Sequence, residues 1–169
     1  IADGASIDAS ATYNAATTPA DETYVRAIDA EEGDLTIING GTLEASVFGD
    51  ANQDLHAMGI QVHNYDAAEL ADPSTLINNS GSIIVTAENE DMTYGEAVAR
   101  GIQLGGASDS DNNNVTIINT GLIDAEATGA FANAQGIKSG GASVYMGYPI
   151  YDNVKGEYDF DSLMIYNDG

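Results

Sequence analysis

Carboxylates are the reactive groups this chain carries in quantity: 27 Asp and Glu stand against four Lys and Arg, two His and no Cys. Hard divalent cations are held by carboxylate and carbonyl oxygen, so places where acids and asparagines crowd together are candidate Ca2+ sites. Three stand out: Asp50, Asn52 and Asp54; Asp109 and Asp111, followed by three asparagines; and the alternation Glu157, Asp159, Asp161. None has the form of a recognised calcium loop. The first opens like an EF-hand loop but has Leu55 where the obligatory glycine belongs. Nothing else in the sequence requires a cofactor, and Ca2+ is the one ion these clusters suggest.

The same carboxylates, paired at about 5–10 Å, could serve glycoside chemistry, and 27 acids must produce some such pairs by chance. What the sequence lacks is a distinct catalytic constellation. His56 and His63 lie seven apart and read as ordinary surface or corner residues, and no Gly-x-Ser-x-Gly elbow occurs. With a formal net charge of −23, an acidic polymer finds few cations to bind it, and phosphate-backbone recognition, which relies on Lys and Arg, is not expected. Without cysteine there is neither a disulfide framework nor a thiol nucleophile. No apolar run approaches the roughly 20 residues needed to span a bilayer, so no transmembrane segment is expected. The acids, spread over loops and outward positions, read chiefly as a soluble, aggregation-resistant surface.

The four cations are few enough to place individually. Arg26 and Arg100 each precede the small residue of one repeated motif, a position also held by Met58 and Gln135. Each is expected to pair with nearby acids at a corner. Lys138 points outward and Lys155 falls in an insertion. Four of the nine tyrosines, Tyr145, Tyr148, Tyr151 and Tyr158, share that insertion. Tyrosine is enriched at contact surfaces, so this is the candidate interaction loop.

What positions all of these is a repeat. Leu35 to Ala45, Thr75 to Val85 and Val115 to Ala125 align without gaps as I-x-N-x-G-x-I-x-A, and a fourth copy begins at Leu163. The asparagines Asn39, Asn79, Asn119 and Asn167 are spaced by 40, 40 and 48 residues. A second motif, A-x-G-I, lies between them at Ala57, Ala99 and Ala134, with a weaker copy at Val25, and halves the period. About 20 residues, at about 3.3 Å each in a strand, can trace one coil that pairs with the coils above and below. The expected fold is therefore all-β: a parallel β-helix, or β-solenoid, of about eight coils of roughly 20 residues with a Tyr-rich insertion. Period-2 alternation sets Ile37, Ile77, Ile117 and Ile165 in one inward column and Leu43, Ile83 and Ile123 in another. Asn39, Asn79, Asn119 and Asn167 are expected to bond to backbone and to the next asparagine along the stack. Gly41, Gly81, Gly121 and Gly169 are read as turn positions with φ > 0.

These alternating motifs, over roughly residues 24 to 169, resemble the repeats of bacterial autotransporter passenger regions and related surface-exposed β-helical proteins. The resemblance implies a right-handed parallel β-helix displayed on a bacterial cell surface and used for adhesion, coating or self-association. The expectation is a non-enzymatic extracellular element whose partners are itself, head-to-tail or laterally, or a surface glycan or protein. An adhesin, a surface layer and a filament all fit; a β-helical polysaccharide-degrading enzyme, lyase or glycoside hydrolase, is the alternative. Residues 1–169 read as one solenoid segment of a longer repeat protein, with an irregular loop at 11–22 and the insertion at about 140–161. Neither end carries a polar capping repeat.

Overall fold

The computed structural model describes residues 1–13, 22–31, 34–49, 53–63, 74–90, 95–104, 114–139, 150–152, 157–159 and 163–167. Its strands are β1 (Ser6–Tyr13), β2 (Thr23–Glu31), β3 (Leu35–Asn39), β4 (Thr42–Gly49), β5 (Leu55–His63), β6 (Ser74–Asn79) and β7 (Ser82–Asn89). They continue as β8 (Glu96–Leu104), β9 (Asn114–Asn119), β10 (Leu122–Thr128), β11 (Phe131–Ser139), β12 (Ile150–Asp152), β13 (Glu157–Asp159) and β14 (Leu163–Asn167).

Three four-stranded parallel sheets result, and the chain visits them in rotation. Sheet A is β1-β4-β7-β10, sheet B is β2-β5-β8-β11 and sheet C is β3-β6-β9-β14. One circuit takes 40 residues, as Leu43 pairs with Ile83 and Ile83 with Ile123. This corrects the expected coil: a circuit is twice as long as about 20 residues, and there are four layers rather than about eight. The reason is shape. The A-x-G-I strands stack only on one another, Ala57 on Ala99 and Ile60 on Ile102, and the asparagine strands only on asparagine strands. Halving the repeat would set a glycine slot against an asparagine amide.

The alternation in β4 and β7 buries Leu43, Ala45 and Val47, and Ile83, Val85 and Ala87. These join Ile77, Val115 and Ile117 of sheet C and Leu55, Ala57, Ile60 and Val62 of sheet B in one core. A side chain of Ile or Leu size contributes about 1.5–3 kcal/mol when fully buried. Sheets A and B come close because sheet B is small where they meet: a β-carbon on Gly101 would collide with Ile123 Cγ2 and stand 2.5 Å from the Gly136 carbonyl oxygen.

Asparagine amides bind the layers along the corner from sheet C to sheet A. Asn39 Nδ2 donates to Asn79 Oδ1 at 2.7 Å, and Asn79 Nδ2 to Asn119 Oδ1 at 2.6 Å. The same amides reach the Ser82 carbonyl at 3.2 Å and the Leu122 carbonyl at 3.3 Å. Asn167 continues the register as the partner of Asn119. The glycines two residues on serve a different purpose from the one expected: the positive-φ glycines among the described residues are Gly4 and Gly95, at 75° and 90°. Gly81 is needed because a β-carbon there would run into the Gly41 carbonyl oxygen and lie 2.8 Å from the Gly41 nitrogen. The constraint is close approach of stacked backbones. Gly169 lies outside the described residues.

Connection lengths differ sharply by corner. The C-to-A links are two residues each, 40–41, 80–81 and 120–121, whereas the B-to-C links run 32–34, 64–73, 105–113 and 140–162. The A-to-B links, 14–22, 50–54, 90–95 and 129–130, vary as well, so the C-to-A corner alone keeps one length. The segment 11–22 opens as regular structure, since Ala11, Thr12 and Tyr13 complete β1 by pairing with Val47, Phe48 and Gly49.

Candidate functional site

The outer face of sheet B is where the chain's scarce cations meet. Its strands change phase in mid-course: the core takes Leu55 and Ala57, then Ile60 and Val62. The ladder pairs Met58 with Arg100 and Ile60 with Ile102, leaving Gly59 and Gly101 between them. The change of parity at these glycines puts three columns outward: Tyr24, His56, Val98 and Asn133; Arg26, Met58, Arg100 and Gln135; and Asp29, Gln61, Gln103 and Lys138. Three of the four Lys and Arg are here, and His63 with His56 completes the histidines.

This outward face is packed. Met58 is 1% exposed and Val98 0%, yet neither belongs to the core cluster between the sheets. Tyr24 stacks on His56 with centroids 4.6 Å apart and planes 14° from parallel. The Arg26 guanidinium lies 4.7 Å over the Tyr24 ring, a cation–π contact. Arg26 Nε donates to Gln61 Oε1, and its Nη1 stands 3.5 Å from Asp29 Oδ2. Asp29 Oδ1 also lies 3.2 Å from His63 Nε2. The Tyr24 hydroxyl donates to Glu22, which with burial raises its pKa above the usual phenol value.

The far half of the face is less well compensated. Arg100 Nη1 donates to Gln103 Oε1 at 2.7 Å. Among the described residues neither Arg100 nor Lys138 has a carboxylate within ion-pair distance, in contrast to Arg26. Arg100 Nε, both ring nitrogens of His56 and Gln135 Oε1 are buried without a hydrogen-bond partner. Such atoms cost about 1–3 kcal/mol each. Burial lowers the pKa of Arg100, and burial followed by the neighbouring Arg100 charge lowers that of Lys138. Burial also depresses His56, keeping the imidazole neutral at pH 7; it is a buried residue, 8% exposed, not the surface or corner residue expected. The Glu96 carboxylate, on the same strand as Arg100, opposes the downward shifts of Arg100 and Lys138 without forming an ion pair at contact distance among the described residues.

The other sequence candidates fall only in part within the described residues. Asp54 is described, and its Oδ1 accepts the Glu96 backbone N–H at 2.7 Å. Asp50, Asn52, Asp109, Asp111 and Asp161 lie outside the described residues, as do Tyr145 and Tyr148. Part of the insertion is a short antiparallel hairpin: Tyr151 pairs with Tyr158, and Glu157 and Asp159 with Asp152 and Ile150. Among the described residues there is no group of three or more His, Cys, Asp or Glu placed to hold a metal. No helix there is long and apolar enough to cross a membrane. The repeat pattern does not point to one buried residue, Asn89, whose Nδ2 donates to the Gln53 carbonyl at 3.0 Å and ties the A-to-B corners of successive layers. Its inward-parity position, two residues beyond Ala87, is the signal that could have found it.

The fold and this face define an all-β protein of stacked parallel strands with a packed polar surface on one sheet. Compared with known protein families, curated proteins and solved structures, the chain matches none.

Proposed function

We propose that this chain is a β-helical scaffold of a bacterial surface, non-enzymatic, that associates with copies of itself or with surface partners. The observation that supports the reading is the layered architecture: three four-stranded parallel sheets visited in rotation, each layer repeating the one below it and tied to it by the amides of Asn39, Asn79 and Asn119. Such a stack is rigid and presents equivalent positions at every layer, so a contact made to a neighbouring copy or to a surface partner can recur along it.

Sedimentation velocity of the purified chain, with millimolar Ca2+ and again with chelator, tests this. Species well above the 17.5 kDa monomer are expected, and dependence on Ca2+ would assign the acidic loops a bridging role. Deleting residues 145–158 separates the two forms of the reading: loss of assembly marks a lattice contact, and loss of binding to cells or surface glycans at unchanged mass marks an adhesive loop. A strict monomer that also binds neither cells nor purified surface glycans would overturn it.

A further inference from the structure

We infer that Asn39 is a modification site: its side-chain amide becomes a carboxylate, through a cyclic imide formed with the Gly40 nitrogen, whenever the first layer of the asparagine column opens. The sequence supplies the reactive pair. Asn39 is the one asparagine of the chain followed by glycine, whereas Asn79 precedes Ser80 and Asn119 precedes Thr120. In the reaction the Gly40 backbone nitrogen attacks Asn39 Cγ, the bond from Cγ to Nδ2 breaks, and Nδ2 departs as ammonia, carrying in effect the proton that the Gly40 nitrogen gives up. Water then opens the imide at either carbonyl, giving aspartate or isoaspartate. A follower without a β-carbon leaves the attacking nitrogen unhindered and lets the backbone turn into the ring.

The fold holds every atom of that reaction in place. Asn39 is fully buried. Its Nδ2, the leaving group, donates to Asn79 Oδ1 at 2.7 Å and to the Ser82 carbonyl at 3.2 Å, while its Oδ1 accepts the Gly41 N–H at 3.2 Å. The attacking Gly40 nitrogen donates to the Ile1 carbonyl at 2.9 Å. Ring closure also requires Asn39 to leave the extended conformation of β3, with ψ near about +115° in a parallel strand. The hold is weakest on this layer. The equivalent nitrogens of Ser80 and Thr120 donate at 2.8 and 2.9 Å to the carbonyls of Asn39 and Asn79, in β3 and β6, whereas Ile1 leads a segment whose Ala2, Asp3, Gly4 and Ala5 are exposed. Neither product fits back. Aspartate at this position has no proton for Asn79 Oδ1 or the Ser82 carbonyl and sets a charge against both. Isoaspartate adds a backbone carbon beside Gly41, where even a β-carbon would stand 2.7 Å from the Ala2 carbonyl oxygen and run into that of Ala5. Conversion is therefore one-way, and it records that the layer has been open.

The test holds the full chain at mildly alkaline pH, folded and in denaturing urea, and follows each asparagine by peptide mass mapping that separates aspartate from isoaspartate. In urea Asn39 should convert at least about tenfold faster than Asn79 or Asn119, and Gly40→Ala, which the fold accommodates, should remove that lead. In the folded chain Asn39 should convert at least about a hundredfold more slowly than in urea, since the layer must open first. Asn79→Ala takes away an acceptor of Asn39 Nδ2 and should raise the folded rate at Asn39 at least about tenfold, at a temperature where circular dichroism shows the variant folded. If that variant does not fold, wild type in urea below its unfolding transition takes its place, with conversion at Asn39 rising before the circular-dichroism signal changes. Asn39 converting no faster than Asn79 in denaturing urea would overturn the site. A folded rate equal to the unfolded one, or one that neither Asn79→Ala nor sub-denaturing urea raises, would overturn its control by the column.

Discussion

Replacing Asn79 should expose how much the amide column contributes. Asn79 is fully buried, accepts from Asn39 at 2.7 Å, and donates to Asn119 at 2.6 Å and to the Leu122 carbonyl at 3.3 Å. Three hydrogen bonds at about 0.5–1.5 kcal/mol net each put the cost of Asn79→Ala at about 3 kcal/mol, or a fall in Tm of about 10 °C for a chain of this size. Asn79→Asp is the sharper probe. An ionised carboxylate there still accepts from Asn39 but has no proton for Asn119 Oδ1, and it sets a buried charge against that oxygen. Its folded pKa is therefore expected above the ordinary Asp value of about 3.9. The sign is then fixed: the variant's relative stability is fully present below about pH 3.9 and is lost as pH rises through the folded value. Urea denaturation followed by circular dichroism at pH 3.5 and pH 7, with Asn78→Ala on the outward side of the same strand as control, measures both effects as differences from wild type. An Asn79→Ala loss no larger than that of Asn78→Ala, or an Asn79→Asp protein whose deficit relative to wild type is the same at both pH values, would refute the reasoning.

The same geometry sets other outcomes. Gly81→Ala should cost about 1–3 kcal/mol or more by overpacking, since its β-carbon meets stacked backbone, while Gly40→Ala, with nothing nearer than 3.5 Å, should be within about 0.5 kcal/mol of wild type in the same denaturation assay. Gly101→Ala should destabilise through Ile123 and the Gly136 carbonyl, but Gly136→Ala, one layer on, meets only Ile123 at 3.8 Å and should be tolerated by thermal melting. His56→Phe keeps a ring stacked on Tyr24 and removes two buried nitrogens without partners, so above pH 7 it should be at least as stable as wild type. Because burial depresses the His56 pKa, the wild type alone should lose a further increment as pH falls from about 6.5 through the folded value; parallel curves for the two proteins would contradict this.

Much of the layering is legible in the sequence because stacking demands sameness. A residue in a parallel stack sees its own equivalent above and below, so the columns Ile37, Ile77, Ile117 and Leu43, Ile83, Ile123 can be read by spacing alone, as can the column Arg26, Met58, Arg100, Gln135. The coil length could not be read in this way. Two motifs about 20 residues apart look like two coils in one dimension, and only the pairing reveals that they occupy different sheets of one circuit. Nor does spacing tell why a glycine is there: Gly41, Gly81 and Gly121 suit a turn with φ > 0 equally well on paper, and the distance to the next layer's carbonyl distinguishes the two.

By itself the sequence determined the strands, their alternation, the asparagine column and the acidity, because each depends on residues near in the chain or repeated along it. The tertiary structure alone decided which side of sheet B faces out. The shift of parity at Gly59 and Gly101 moves Ile60 and Ile102 into the core and turns Arg26, Arg100 and Lys138 onto one surface with His56. Strict alternation from Leu55 would have placed Gln61 inside and Ile60 outside, so the face that gathers the cations exists only because the strand is broken in phase where sheet A presses an isoleucine against it.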